Sequence, residues 1–188
     1  MEVDPLSEIM NSPKKDEELI AEAKNGEMNS FKTLVERYEG KVAGVVKSML
    51  GNNEEAVDVG QEVFIRFYES LDKFKGESSL GTYLIRIAIN LSLNEIKRMK
   101  RRASFFQPLE TGYHVKSTDK SSDIKEVVNF EIAQLDSEFR LVVSLRMIEG
   151  YSTEETAEIL GIPLGTVLSR LTRAQKKLKI VLAQHIAL

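Results

Sequence analysis

Residues 151–178 read YSTEETAEILGIPLGTVLSRLTRAQKKL, and their punctuation decides the fold of the C-terminal part of the chain. Ser152 or Thr153, followed by Glu155 or Thr156, marks a helix start, and Gly161 ends that helix. Ile162-Pro163 opens another, because a first helical turn tolerates the missing N–H of proline. Helix, tight glycine turn, helix is the helix-turn-helix pattern. At about 100° per residue, Val167, Leu171, Ala174 and Leu178 share one stripe of the second helix, its buried side. Ser169, Thr172, Arg173 and Lys176 fall opposite, with Arg170 and Lys177 flanking and Thr166 in the first turn. Short hydroxyl side chains and arginine suit base edges, and cations suit phosphates, so this face has the chemistry of a recognition helix. A generic helical hairpin would show the same periodicity, so the stretch alone leaves its function open.

Helical periodicity extends upstream to about Ile124. Before it, ASFFQPLETGYHVKSTDKSS (residues 103–122) holds a proline, a glycine and many hydroxyls with little periodicity. It reads as a flexible linker, assigned to residues 103–123, longer than most connections inside a compact domain. Phe105 and Phe106 are apolar enough to pack against a neighbouring helix.

From about Asp16 to Arg102 the chain reads as helix after helix, with Leu19, Ile20 and Ala23, then Phe31, Leu34, Val35 and Tyr38, then Val42, Val45, Val46 and Met49 at helical spacing. Gly26, Gly51-Asn52-Asn53 and Gly76 punctuate the series. No stretch alternates with period two for long enough to suggest a sheet. The expected fold class is therefore all-α, with two small helical domains, 16–102 and 124–188, joined by the linker. Residues 1–15 are an acidic tail, expected to be disordered.

Two faces of the first domain carry candidate chemistry. On the helix from about Gly81 to Arg102, Tyr83, Arg86, Asn90, Asn94, Lys97 and Arg101 form one narrow stripe, while Leu84, Ile85, Ile89, Leu91, Leu93 and Ile96 fill most of the remainder. A ring above and cations below suit an unpaired strand, whose bases stack and whose backbone is anionic. The loop Phe74-Lys75-Gly76-Glu77-Ser78-Ser79 just before it is short and polar, and could pocket one extruded base. On the helix starting near Glu54, Asp58, Glu62 and Glu69 share a face that suits a basic partner, with Val57, Phe64, Tyr68 and Leu71 expected on the opposite, anchored side.

The 188 residues carry a net charge of −3, but the charge is clustered. Between Glu2 and Glu27 eight acids face three lysines, whereas Lys97, Arg98, Lys100, Arg101 and Arg102 form one basic block and Arg170, Arg173, Lys176, Lys177 and Lys179 another. Two basic segments on an acidic chain fit two nucleic-acid contacts; basic residues at two helix ends would look the same. Cysteine is absent and the two histidines, His114 and His185, are far apart, so neither a thiolate nor a histidine metal site is expected. The N-terminus lacks the apolar core of a signal peptide, and no apolar run approaches the length of a membrane span, so a soluble cytoplasmic protein is expected.

The strings Ala56-Val57-Asp58-Val59-Gly60-Gln61-Glu62-Val63-Phe64, Phe74-Lys75-Gly76-Glu77-Ser78 and Thr82-Tyr83-Leu84-Ile85-Arg86-Ile87-Ala88-Ile89-Asn90 closely resemble region 2 of the extracytoplasmic-function (ECF) sigma factors of bacterial RNA polymerase. Glu155 to Val167, with Ser169-Arg170 and Arg173-Ala174, is similar to region 4 of the same family. The resemblance implies that Asp58, Gln61 and Glu62 dock on the β′ clamp of core polymerase, with the β flap as a further contact. It also implies that Phe74, Lys75, Ser78, Tyr83, Arg86, Asn90, Lys97 and Arg101 hold the opened minus-ten strand. Thr166, Ser169, Arg170, Thr172, Arg173 and Lys176 would read the minus-thirty-five duplex, and the linker would run near the active centre. The partners implied are core polymerase, promoter DNA and an anti-sigma factor; no cofactor, small-molecule substrate or catalysis by this chain is expected. Two residues depart from the family pattern: Tyr83 stands where Trp is usual, and Leu168 where many members have a basic residue. A stand-alone helix-turn-helix regulator would leave the Asp58 and Tyr83 faces unexplained; a sequestering adaptor would not depend on Arg173.

Overall fold

The computed structural model describes residues 14–105 and 120–186, and among these the chain is helical throughout, without a strand. Residues 1–13 of the tail and most of the linker lie outside the described residues, as do the side chains of Phe105 and Phe106. Eight α-helices follow in order: α1 (Asp16–Lys24), α2 (Met28–Leu50), α3 (Glu54–Glu69), α4 (Leu80–Phe105), α5 (Lys120–Gln134), α6 (Ser137–Val143), α7 (Thr153–Leu160) and α8 (Leu164–Ile186). A 3₁₀ turn, Leu71–Lys73, follows α3, and a π-helical turn, Ser144–Ile148, follows α6. Helix α4 thus runs three residues past the Arg102 end assigned from periodicity, and α5 begins four residues before Ile124.

Capping chemistry sets the local boundaries. The Asn53 side chain accepts the Ala56 N–H at the start of α3, which satisfies one of the unpaired donors of a first turn. Ser152 and Glu155 form the reciprocal capping box of α7, and Gly161 ends it in the left-handed region at φ 63°.

Helices α1 to α4 enclose the main core, where Leu34, Val42, Val45, Val46, Val63, Phe67, Leu84, Ile85 and Ala88 are all but inaccessible. The expected inner face of α4 is borne out by Leu84, Ile85, Ile89 and Leu91. That of α3 is corrected in part: Ala56, Val59, Val63 and Phe67 point inward and Val57 and Tyr68 are about half exposed, while Leu71 is buried and Phe64 packs against the core as expected. Helix α3 has more apolar residues than one buried stripe can hold, and the stripe settles on the fully spaced 56–59–63–67 series.

The main core does not stop at the linker. Leu145 and Ile159 are buried in it, and Leu141, Tyr151 and Leu160 pack against it. A smaller cluster of Ile132, Leu135, Phe139, Val143, Ala174 and Leu178 ties α5, α6 and α8 together. Arg140 crosses between halves, its buried guanidinium donating to the Met49 carbonyl of α2 at 3.2 Å and to the Ala133 and Leu135 carbonyls of the α5 terminus. Desolvation holds its pKa below the usual arginine value. At the start of the fold, Asp16 accepts from Arg37 and from the Tyr38 hydroxyl; desolvation and, after it, that bond push the phenol well up.

Glu149 closes the π turn and lies so near Gly44 of α2 that a Cβ there would collide with its carboxylate. Desolvation raises its pKa above 4.5. The folded state therefore holds this proton more tightly than the unfolded chain does. The stability it contributes is complete below the unfolded value and is lost as pH rises through the raised folded value. Glu149→Gln is expected to melt above the wild type at neutral pH and to converge with it below about pH 4, followed by circular dichroism. Parallel melting curves across that range would count against a desolvated carboxylate.

Candidate nucleic-acid interface

Loop 74–79 is fastened at both ends. Lys24 of α1 donates to the Phe74 carbonyl at 2.8 Å, a bond between residues fifty positions apart. At the other end the Ser79 hydroxyl accepts the Thr82 N–H at 3.1 Å and the Ser79 carbonyl accepts the Tyr83 N–H at 3.0 Å. Between them Gly76 turns the chain at φ 73°, where a side chain would be strained. The loop and the first turns of α4 enclose an open cavity of about 490 Å³. Phe74, Lys75, Ser78, Tyr83, Arg86 and Asn90 line it, together with Lys73, Gly76, Glu77 and Ile87. Six of the residues singled out for strand contact thus share one hollow. Lys97 and Arg101 do not: they lie exposed about two and three turns farther along α4, where Arg101 Nε donates to the Lys97 carbonyl.

The rings of this hollow are braced from behind. Phe74 and Tyr83 stand 4.9 Å apart, and Phe67, wholly buried, meets both edge-on at 6.2 Å. The Tyr83 hydroxyl is 3.0 Å from Ser70 Oγ, which itself donates to the Arg66 carbonyl at 2.7 Å. Neither Lys24 nor Ser70 was singled out from the sequence; both are ordinary surface residue types whose partners lie far off.

Arg86 has a second allegiance. Its Nη2 donates to the Glu158 carbonyl at 2.6 Å and its Nε to the Ile159 carbonyl at 3.2 Å, so it caps the C-terminus of α7. A cation there complements the negative helix end.

On α8 the expected division of faces holds. Val167 and Ala174 are fully buried and Leu178 nearly so, while Ser169, Thr172, Arg173 and Lys176 are exposed and Thr166 is half-buried. Ser169 donates to the Thr166 carbonyl and Thr172 to the Leu168 carbonyl, leaving hydroxyl oxygens outward. Arg170 pairs with Glu138 of α6 at 2.7 Å, and Lys177 pairs with Asp136 at 3.1 Å while covering the Phe139 ring. Leu168 is 47 % exposed, beside the polar face.

On α3, Asp58 and Gln61 are exposed, and Glu62 accepts from Arg66 Nε at 2.8 Å. Arg66 therefore interrupts the acidic face before Glu69. Among the described residues no group of His, Asp or Glu could hold a metal ion, and no helix is long and apolar enough to cross a membrane.

Both halves of the chain match known families. The Sigma-70 region 2 family matches residues 34–102 and the Sigma-70 region 4 family matches residues 129–178. The chain is 34 % identical to the ECF RNA polymerase sigma-E factor of Haemophilus influenzae, over 87 % of this chain and 93 % of that protein. It is 32 % identical to the RNA polymerase sigma-H factor of Pseudomonas aeruginosa, over 89 % of this chain and 93 % of that one. Among solved structures, CnrH in complex with the cytosolic domain of CnrY superposes with a TM-score of 0.67 at 26 % identity, covering 90 % of this chain and 97 % of that one. With a region 2 bundle that walls an aromatic, cationic hollow and a region 4 helix-turn-helix behind it, the chain belongs to the ECF sigma factors, the subunits that direct RNA polymerase core to promoters.

Proposed function

We propose that residues 16–102 anchor the chain on core polymerase and hold the opened minus-ten strand, and that residues 124–188 read the minus-thirty-five duplex. The observation that carries this reading is the hollow in which Phe74, Lys75, Ser78, Tyr83, Arg86 and Asn90 converge. Asp58, Gln61 and Glu62 face outward on α3, away from the buried 56–59–63–67 stripe, and supply a polar, acidic face for the β′ clamp. Stacking on Tyr83 offsets the few kcal/mol that each unstacked base step costs. Lys97 and Arg101 continue the cationic track down α4, and Arg86 exchanges the α7 carbonyls for nucleic acid when the two halves part. Thr166, Ser169, Thr172, Arg173 and Lys176 meet base edges and phosphates in the major groove, with Arg170 first leaving Glu138. The chain is non-catalytic, acts in the cytoplasm, and leaves RNA synthesis to the polymerase. CnrH is captured with the cytosolic domain of CnrY, which supports a protein partner here; that this partner is an anti-sigma factor, acting in a stress or envelope response, rests on the family alone.

Run-off transcription tests the assignment, with core polymerase, this protein, and pooled genomic promoter fragments. Asp58→Arg is expected to abolish discrete starts by blocking core binding. Arg173→Ala is expected to lower them about tenfold through one lost base or phosphate contact. Duplex binding without any programmed start would favour a stand-alone regulator and remove the region 2 roles.

A further inference from the structure

We propose that a second cavity, on the other side of Tyr83, is a nucleotide subsite that takes the neighbour of the captured base and selects against thymine through Glu69. The proposal rests on the strand-capture reading of the first hollow. The cavity, about 330 Å³, lies between the end of α3 and the middle of α4. It shares Lys73, Tyr83, Ile87 and Asn90 with the larger hollow, so the two are successive chambers of one groove and Tyr83 is the wall between them.

That wall is fixed. Ser70 spends its proton on the Arg66 carbonyl at 2.7 Å, so its oxygen accepts from the Tyr83 hydroxyl at 3.0 Å, and the Phe74 ring supports Tyr83 at 4.9 Å. A ring tied at its hydroxyl separates two adjoining bases rather than swinging with either of them.

The second chamber has the parts a nucleotide needs. Ile87 and Leu91 give an apolar floor, and Lys73 stands exposed at the junction of the chambers, where the phosphate joining the two nucleotides would pass. Its lining also includes the Asn94 amide and the Glu69 carboxylate, both exposed. An ionised carboxylate only accepts hydrogen bonds. On the pairing edge of an unstacked base, adenine, cytosine and guanine each present an exocyclic amino group, whereas the one donor of thymine, its N3–H, is flanked by two carbonyl oxygens that the carboxylate repels. Glu69 was grouped with Asp58 and Glu62 on the sequence; Arg66, paired with Glu62, separates it from them and leaves it beside the groove.

The test uses the full chain with core polymerase on promoters in which each minus-ten nucleotide is varied singly, read as run-off yield. Ser78→Ala marks the position governed by the first hollow. The wild type is expected to disfavour thymine by about tenfold at one directly adjoining position. Glu69→Gln, whose amide can donate to a carbonyl, is expected to abolish that discrimination there and leave the other positions unchanged, and Asn94→Ala to weaken yield at the same position. Unchanged discrimination in Glu69→Gln, or an equal loss at every position, overturns the subsite. A wild type that directs no discrete start overturns the strand-capture reading itself, and is seen before any variant is compared.

Discussion

Phe67→Ala is expected to lose about 3–5 kcal/mol of folding stability, the range for deleting a fully buried aromatic ring. The ring is inaccessible to solvent and touches the ring of Phe31 at 5.7 Å as well as those of Phe74 and Tyr83. Removing it leaves a void behind the two rings that line the hollow proposed to hold the opened strand, so a functional loss should accompany the loss of stability. Urea unfolding gives the first quantity. Promoter opening, followed by permanganate reactivity at temperatures where the variant is still folded, gives the second. Phe67→Leu, which refills most of the volume, should recover most of the stability and less of the opening, since it restores packing but not the edge-on ring contacts. A loss under about 1 kcal/mol would mean that the α3–α4 interface collapses freely around the void, and that these rings are not braced by it.

Arg140→Ala comes next in size, at about 3 kcal/mol. Arg140 is 8 % exposed and its guanidinium serves three carbonyls from two helix ends, Met49 at the end of α2 and Ala133 and Leu135 at the end of α5. The last carbonyls of a helix have no partner inside it, and a buried acceptor left unpaired costs about 1–3 kcal/mol. Desolvation of the cation opposes part of this gain, as its lowered pKa records, so the sum falls well below three full bonds. Arg140→Lys should recover only part, because an ammonium lacks the planar fork that spans separate acceptors. Denaturant midpoints at constant slope give the measurement; a variant within about 0.5 kcal/mol of wild type would mean that water reaches all three carbonyls.

The parts of this fold that were legible in the sequence are those decided within a turn or two of chain. Ser152 with Glu155, and Gly161 in the left-handed region, bound α7 as their residue types require. The inner stripe of α8 and that of α4 followed from spacing alone. On α3 the same reasoning chose Phe64 over Val63 and Tyr68 over Phe67, because a helix with apolar residues on most of its circumference does not declare which of them face inward. The polar stripe of α4 was legible from its spacing, and the fold gathers its upper members, Tyr83, Arg86 and Asn90, around the loop. Nothing in the sequence marked the partners of Arg86, which lie 72 and 73 positions away, since an arginine that caps a helix and one that faces a phosphate are spelled alike. Lys24 and Ser70 were missed for the same reason: their roles are defined by carbonyls and hydroxyls of other elements.

The apolar core that Leu145 and Ile159 share with α2, α3 and α4 has a thermodynamic consequence. The two family regions, proposed to read one promoter element each, are not separate units of melting. Heat that loosens α7 uncovers Ile159 and the region 2 side chains against it together, so calorimetric and van't Hoff enthalpies should agree for the whole folded body rather than resolve into two transitions. Each half, cut free, would carry an uncovered apolar face into water, and its stability measured alone would understate what it contributes to the intact chain.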